Sequence, residues 1–229
     1  MHIDLNCDLG EGAGHDAELL QLISTANVSC GAHAGDAETA HLTIAAAVYC
    51  GVRVGAHPGY PDREHFGRRE LEKRPQQIYA ECVHQIGALS ALAKDCGTTL
   101  SHVKPHGALY NQAVRDAAYA EPIVAAAQLF DLPIMGLPGS HLERLAAGRF
   151  VAEGFADRRY RPNGTLVPRT EPNAMLDDPA EAKWQAIELV KSRGVRTLCV
   201  HGDNPHALAF VRELRIALTA AGFTIRAFA

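Results

Sequence analysis

Reactive side chains crowd the run His102–Asn111, HVKPHGALYN, in which two histidines, a lysine, a tyrosine and an asparagine surround Pro105, Gly107 and Ala108. A lysine where a strand gives way to a turn can hold an anion or steady a developing oxyanion. A histidine beside it can carry protons near neutral pH. Lys104 and His106 fill those roles on paper, and Tyr110 and Asn111 would shape the pocket around them.

Similar clusters recur along the chain. The first holds Asp4, Asn6, Asp8 and Glu11 in DLNCDLGEG. Asp8 and Glu11 sit in a Gly-flanked turn and could orient water or a metal, or act as turn and cap carboxylates. Asp4 and Asn6 alternate with Ile3 and Leu5, which turns them toward a barrel mouth and away from the outer layer. His33 and Asp36 follow Gly31: Asp36 reads as a helix N-cap, and His33 as either a ligand or a satisfied buried imidazole. His57 precedes PGYPD, and the segment runs on to Phe66-Gly67-Arg68-Arg69. Those arginines suit carboxylate or phosphate, or simply a solvated charged loop. Glu153, Asp157, Arg158 and Tyr160 form a mixed-charge set, which a salt-bridged corner would also explain. His201 and Asp203 flank Gly202 at the end of the last strand, placed to meet Asp4, Asn6 or Asp8 if a barrel closes.

The elements that must position these groups alternate. Apolar runs read as strands at His2–Asn6, Ala26–Cys30, Val52–Ala56, Leu100–Val103, Pro133–Leu137, Phe150–Phe155 and Thr197–Val200. Helical patterns occupy Asp36–Cys50, Arg74–Cys96, Ala117–Phe130, Ser140–Gly148, Pro179–Arg193 and Pro205–Ala221. Gly51, Gly97, Gly194 and Gly222 fall just past four of them, where a left-handed residue ends a helix. Repeated strand–helix alternation predicts a parallel sheet with helical crossovers, and about seven units would close it into a single α/β barrel over residues 1–229. All strand ends would then meet on one face, where such barrels carry their sites. The Pro/Asn-rich segment Tyr160–Asp178 reads as a long loop or hairpin over the mouth.

Composition narrows the classes. The chain has 229 residues, 47% hydrophobic, with a net charge of −4 and no basic block, which argues against nucleic acid as a partner. No apolar stretch is long enough for a membrane span, and the acidic start MHIDLNCDLGEG does not read as a signal peptide. Six cysteines without a CxxC pair suggest reduced thiols in the cytoplasm. Twelve histidines, several of them in Gly-rich polar clusters, are more than surface filler needs. There is no GxGxxG after the first strand, no P-loop, no GxSxG elbow and no HExxH.

Seven ordered motifs resemble the family of 5-oxoprolinase A subunits, also called the LamB/YcsF family: DLNCDLGEG at 4–12, ANVSCGAHAGD at 26–36, GAHPGYPD at 55–62, FGRR at 66–69, HVKPHGALYN at 102–111, EGFADRRY at 153–160 and VHGD at 200–203. The chain departs from the family pattern at Ala32, at His65 and in a short 190–197 segment. The resemblance implies a seven-stranded (β/α) barrel of the glycoside hydrolase/deacetylase type. It also implies a hydrolase component that opens 5-oxo-L-proline to L-glutamate while ATP, as cosubstrate, is cleaved to ADP and phosphate. Subunits B and C are the implied partners, and a homo-oligomer is a further option. Under this reading Asp8, His106 and His201 are candidates for proton transfer, and Lys104, Arg68 and Arg158 for holding anions. Asn6, Glu11, His33, His57, Arg68, Tyr110, Asn111, Asp157, Arg158 and Asp203 are candidate substrate contacts. The alternative is a metal-dependent amidohydrolase or deacetylase acting alone, with a divalent metal such as Mg and with Asp8, His33, His57 and His201 as conceivable ligands. A third option is a non-catalytic component that presents substrate to partners.

Overall fold

The computed structural model describes residues 1–169, 171–176, 178–201 and 207–228, with only the backbone for His201 and Ala207. Its frame is a parallel sheet ordered β3-β2-β1-β6-β5-β4, built from β1 (His2–Leu9), β2 (Thr25–Ser29), β3 (Arg53–His57), β4 (Ile134–Gly136), β5 (Phe150–Phe155) and β6 (Thr197–His201). Its two outer strands are joined through one residue, because Val103 bridges in parallel to Ala56 on one side and to Ile134 on the other. Lys104 N donates to Ala56 O at 2.9 Å, and Met135 N donates to Val103 O at 2.8 Å. The expected fourth strand, Leu100–Val103, thus shrinks to a single rung. Pro105 has no N–H with which to extend the ladder.

Strand alternation sorts the side chains by chemistry. On β1, Ile3, Leu5, Cys7 and Leu9 are buried in the main apolar core, while Asp4, Asn6 and Asp8 bond to polar groups of other strands. The barrel interior is therefore polar, and the apolar core lies between the strands and the helices. β1 runs three residues beyond its expected end at Asn6, as the register Asp8↔Asn27 and Asp8↔His201 carries it to the rim. Gly55 on β3 leaves room for an interior ring: a Cβ there would stand 2.0 Å from His102 Cε1.

The outer shell comprises α1 (Asp16–Leu20), α2 (Ala37–Tyr49), α3 (Pro75–Asp95), α4 (Gly107–Arg115), α5 (Ala117–Leu129), α6 (His141–Leu145), α7 (Pro179–Arg193) and α8 (Ala207–Ala220). Asp36 caps α2, accepting from Thr39 N at 2.8 Å, as its position predicts. On α3 the residues Ile78, Cys82, Ile86, Leu89 and Ala93 are all buried, so the helical spacing marks the packed face. Gly194, with φ 64°, turns α7 directly toward β6. None of the helices among the described residues is long and apolar enough to cross a membrane.

Besides α1, two elements escape the periodicity. HGALYN was expected as a turn, since Pro105 and Gly107 punctuate it, but α4 begins at Gly107 and buries Ala108, Leu109, Tyr110 and Ala113. Its apolar stripe is too short to stand out beside two turn residues. The other is β7 (Thr224–Ile225), which pairs with His2–Ile3 below the start of β2. Beyond it Phe228 reaches the barrel floor, with its ring 5.4 Å from His102 and its carbonyl bonded by Arg53 at 2.7 Å.

Candidate active site

A cavity of about 360 Å³ opens at the C-terminal ends of the strands, lined by Asp8, Glu11, His57, Lys104, His106 and Tyr110 from the barrel and α4. Arg68, Asn111, Arg158 and Arg169 also line it, together with Leu166 and Pro168 of the long segment. That segment forms antiparallel bridges Arg158↔Met175 and Tyr160↔Leu166, so it covers the mouth as its composition suggested.

Lys104 is the hub of the floor. Its Nζ lies 2.9 Å from Asp8 Oδ1, 2.8 Å from Glu153 Oε1, 3.2 Å from Asn6 Oδ1 and 3.0 Å from Cys199 Sγ. Burial alone would drive the ammonium neutral, but Asp8 and Glu153 outweigh it and raise the pKa well above the ordinary value. Lys104 is a fixed cation, not a base. Burial pushes the Cys199 thiol and the Tyr110 phenol well up, so both stay protonated, and Tyr110 donates to Glu153 at 3.0 Å.

Below the hub runs a chain of hydrogen bonds across the barrel. His102 Nε2 lies 2.6 Å from Asn27 Oδ1, and Asn27 Nδ2 donates to Asn6 Oδ1 at 2.7 Å and to Asp8 Oδ1 at 2.8 Å. Asn6 Nδ2 donates in turn to Thr197 Oγ1 at 2.7 Å, and Thr197 donates to Asp4. Asp4 also accepts from Ser24 and Thr25 at 2.6 and 2.7 Å. Asp4 and Asn6 thus lie in the interior beneath the cavity instead of at its mouth, where they hold other groups in place. Burial pushes His102 down to about 3, so it is a neutral member of this chain.

Beside the hub sits an imidazole cluster. His57 Nδ1 lies 2.7 Å from the Lys104 carbonyl and His106 Nε2 lies 2.8 Å from the Phe66 carbonyl. A carbonyl only accepts, so each ring donates from that nitrogen. The remaining nitrogens, His57 Nε2 and His106 Nδ1, face each other at 2.9 Å. Glu11 Oε1 closes on both, 3.7 Å from the first and 3.3 Å from the second. His33 Nε2 meets the same oxygen at 3.0 Å, and its ring stacks on His106 with centroids 3.7 Å apart. Burial lowers His33 to about 3 and also lowers His106. Burial opposes protonation of His57 too, but Asp8 and Glu11 overcome it and raise its pKa. Glu11 is held far below the carboxylate range: burial would raise it, but hydrogen bonds from His106 and His33 dominate. Glu11, His33, His57 and His106 offer donor atoms all within 4.8 Å of one another.

The mouth is cationic. Arg158 is 4% exposed and donates to Val167 O at 2.7 Å, while its Nε has no hydrogen-bond partner among the described residues. Burial and the nearby Arg169 lower its pKa to about 10, which still leaves it charged. Arg68 rests over Phe66 at 4.7 Å.

The expected site residues therefore divide. Asp8, Glu11, His57, Arg68, Lys104, His106, Tyr110, Asn111 and Arg158 meet at one cavity. Asn6 supports it from beneath, His33 stands behind Glu11, and Asp157 is buried without lining it. The backbone of His201 lies opposite Asp8, while its side chain and the whole of Asp203 fall outside the described residues. Sequence reasoning left out Cys199, Asn27, His102 and Arg169, and it gave Glu153 no role. Alternation along β5 and β6 carried the signal, but the set around Glu153 also read as a salt-bridged corner, and Cys199 lies just before the polar cluster that ends its strand.

The chain is similar to known proteins in sequence and in fold. The chain is 49% identical over 248 residues, covering 98% of itself and 95% of its relative, to a Methylococcus capsulatus protein named as the A subunit of 5-oxoprolinase. It superposes on a Thermus thermophilus structure described as a lactam utilization protein, with a TM-score of 0.91, 42% identity and full coverage of both chains. A polysaccharide deacetylase from Bacillus cereus shares the fold alone, at a TM-score of 0.60 and 12% identity over 100% of this chain and 92% of the other. The LamB/YcsF family model matches residues 3–229, and the chain belongs to that family.

Proposed function

We propose that this chain is the A subunit of a 5-oxoprolinase, a hydrolase that opens a five-membered lactam. The observation that carries the reading is the 49% identity, over nearly the full length of both chains, to a protein of that name. The cavity supplies what the reaction needs.

5-Oxoproline carries a carboxylate and a resonance-stabilised ring amide whose equilibrium favours the closed form. ATP drives the opening: phosphorylation of the amide oxygen releases ADP, water adds at the ring carbon, the C–N bond breaks to leave γ-glutamyl phosphate, and a second water releases phosphate and glutamate. Arg158, with Arg68 and Arg169, takes the carboxylate at the mouth, where charge-assisted bonds to a planar guanidinium fix its orientation. Lys104, a permanent cation at the floor, faces the charge that builds on the amide oxygen or its phosphate. Asp8, His57 and His106 lie within one another's reach and serve as the groups that take the water proton and return one to the ring nitrogen. Tyr110 and Asn111 shape the wall.

The chain has no P-loop, and subunits B and C are the partners we assign to ATP activation. With six free cysteines we place the complex in the cytoplasm. Mixing the purified chain with subunits B and C, 5-oxoproline and ATP tests the reading by glutamate release. No glutamate from three folded subunits refutes it.

A further inference from the structure

We propose that His57 Nε2, His106 Nδ1 and Glu11 Oε1 form a three-ligand site for a divalent transition metal of the zinc or cobalt class, its open position facing the cavity. The inference stands on geometry alone and does not rest on the lactam reading.

The three donor atoms form a triangle with edges of 2.9, 3.3 and 3.7 Å. Ligands at about 2.0–2.2 Å from a tetrahedral metal stand about 3.4 Å apart, so the triangle has the size of one face of that tetrahedron. Each imidazole is locked from its far side, since His57 Nδ1 and His106 Nε2 donate to the carbonyls of Lys104 and Phe66. Those bonds orient metal-binding histidines and fix the tautomer that leaves a lone pair inward. In the tautomers fixed by these bonds, two lone pairs stand 2.9 Å apart beside a carboxylate, a space that a shared proton or a metal ion fills. All three residues line the cavity, so the remaining coordination position is open to a ligand, as catalytic sites require.

His33 belongs to the support, not to the ligand set. Its ring is parallel to His106 within 6°. Two rings stacked in this way cannot both hold one metal in their planes. Its Nε2 instead reaches Glu11 Oε1, orienting the carboxylate. Asp8 Oδ2 comes within 3.4 Å of His57 Nε2, but its Oδ1 takes Lys104 and Asn27, and its carboxylate falls outside the donor atoms that all lie within 4.8 Å of one another. The geometry thus favours Glu11 and His106 over Asp8 and His33 as partners of His57. Two imidazoles and a carboxylate suit zinc or cobalt and are a poor cage for Mg, which demands oxygen ligands. A metal here would supply Lewis-acid activation to whatever group enters the cavity, and with both imidazoles engaged the proton transfers assigned to His57 and His106 would fall to Asp8.

The test uses tag-free full-length protein stripped with chelator. Competition against a chromophoric chelator should show on the order of one equivalent of Zn²⁺ bound at micromolar affinity or tighter. Co²⁺ should give the intense visible bands of a low-coordinate complex. Glu11→Gln and His57→Gln, checked for folding by circular dichroism, should each weaken Zn²⁺ binding by more than about a hundredfold. His33→Ala should weaken it by about 10- to 100-fold and keep the cobalt spectrum, as expected of an orienting residue. His41→Ala, a change at an exposed histidine paired with Asp95, should alter nothing. Wild-type protein that binds Zn²⁺ only in the millimolar range, or binding that survives His57→Gln unchanged, overturns the proposal. The wild-type measurement decides even if a variant fails to fold.

Discussion

Lys104 Nζ and Asp8 Oδ1 meet at 2.9 Å although 96 residues separate them, and the pair is almost completely buried. This ion pair joins the floor of the cavity to β1, and the desolvation of both charges is offset only because Glu153, Asn6 and Asn27 complete their bonding. Removing one partner leaves the others charged and dry. Lys104→Met should therefore destabilise the chain by about 3–5 kcal/mol and abolish glutamate formation. Urea unfolding at neutral pH checks the first effect; a loss under about 1 kcal/mol would show the site hydrates freely.

Arg158 bears on substrate recognition. A charge-assisted hydrogen bond contributes about 1.5–3 kcal/mol, so Arg158→Ala should raise KM for 5-oxoproline by roughly 10- to 100-fold. Steady-state kinetics of the reconstituted enzyme, with thermal melting as the folding control, measures this. An unchanged KM would move the substrate carboxylate elsewhere.

Gly55 and His102 compete for one space. With a Cβ 2.0 Å from the His102 ring, Gly55→Ala should cost about 1–3 kcal/mol or more by overpacking. The double variant with His102→Ala should recover part of that loss, a coupling visible in a double-mutant cycle of melting temperatures. Strict additivity would mean that the clash is relieved by backbone movement.

Acid stability follows from the same imidazole. Burial lowers His102 to about 3 from an unfolded value near 6.5, so between these limits the unfolded chain binds the extra proton. Its contribution is fully present above about pH 6.5 and is lost as pH falls toward 3, at up to about 1.4 kcal/mol per pH unit. Denaturant unfolding between about pH 7 and pH 4 should show a shallower decline for His102→Gln than for wild type. Parallel curves would assign the acid sensitivity to other groups.

Much of the frame was legible locally. The alternation of Ile3, Leu5 and Cys7 with Asp4, Asn6 and Asp8 reports two environments because strand side chains alternate. The spacing from Ile78 to Ala93 reports one buried helix face, and Asp36 announces a cap. The strand-end clusters likewise marked the rim where Asp8, His57, Lys104 and His106 meet. Three features had no such mark. Val103 closes the barrel as a single rung, α4 hides behind Pro105 and Gly107, and β7 is two residues long.

By itself, the sequence determined which residues face water, apolar core or polar interior, because those preferences repeat with the period of each element. Only the tertiary structure decided who meets whom. The contact of Lys104 with Cys199 spans 95 residues, and that of Asn6 with Thr197 spans 191. The convergence of Glu11, His33, His57 and His106 depends on barrel register. Register is set by closure of the whole sheet, a long-range condition that no local pattern of residues encodes.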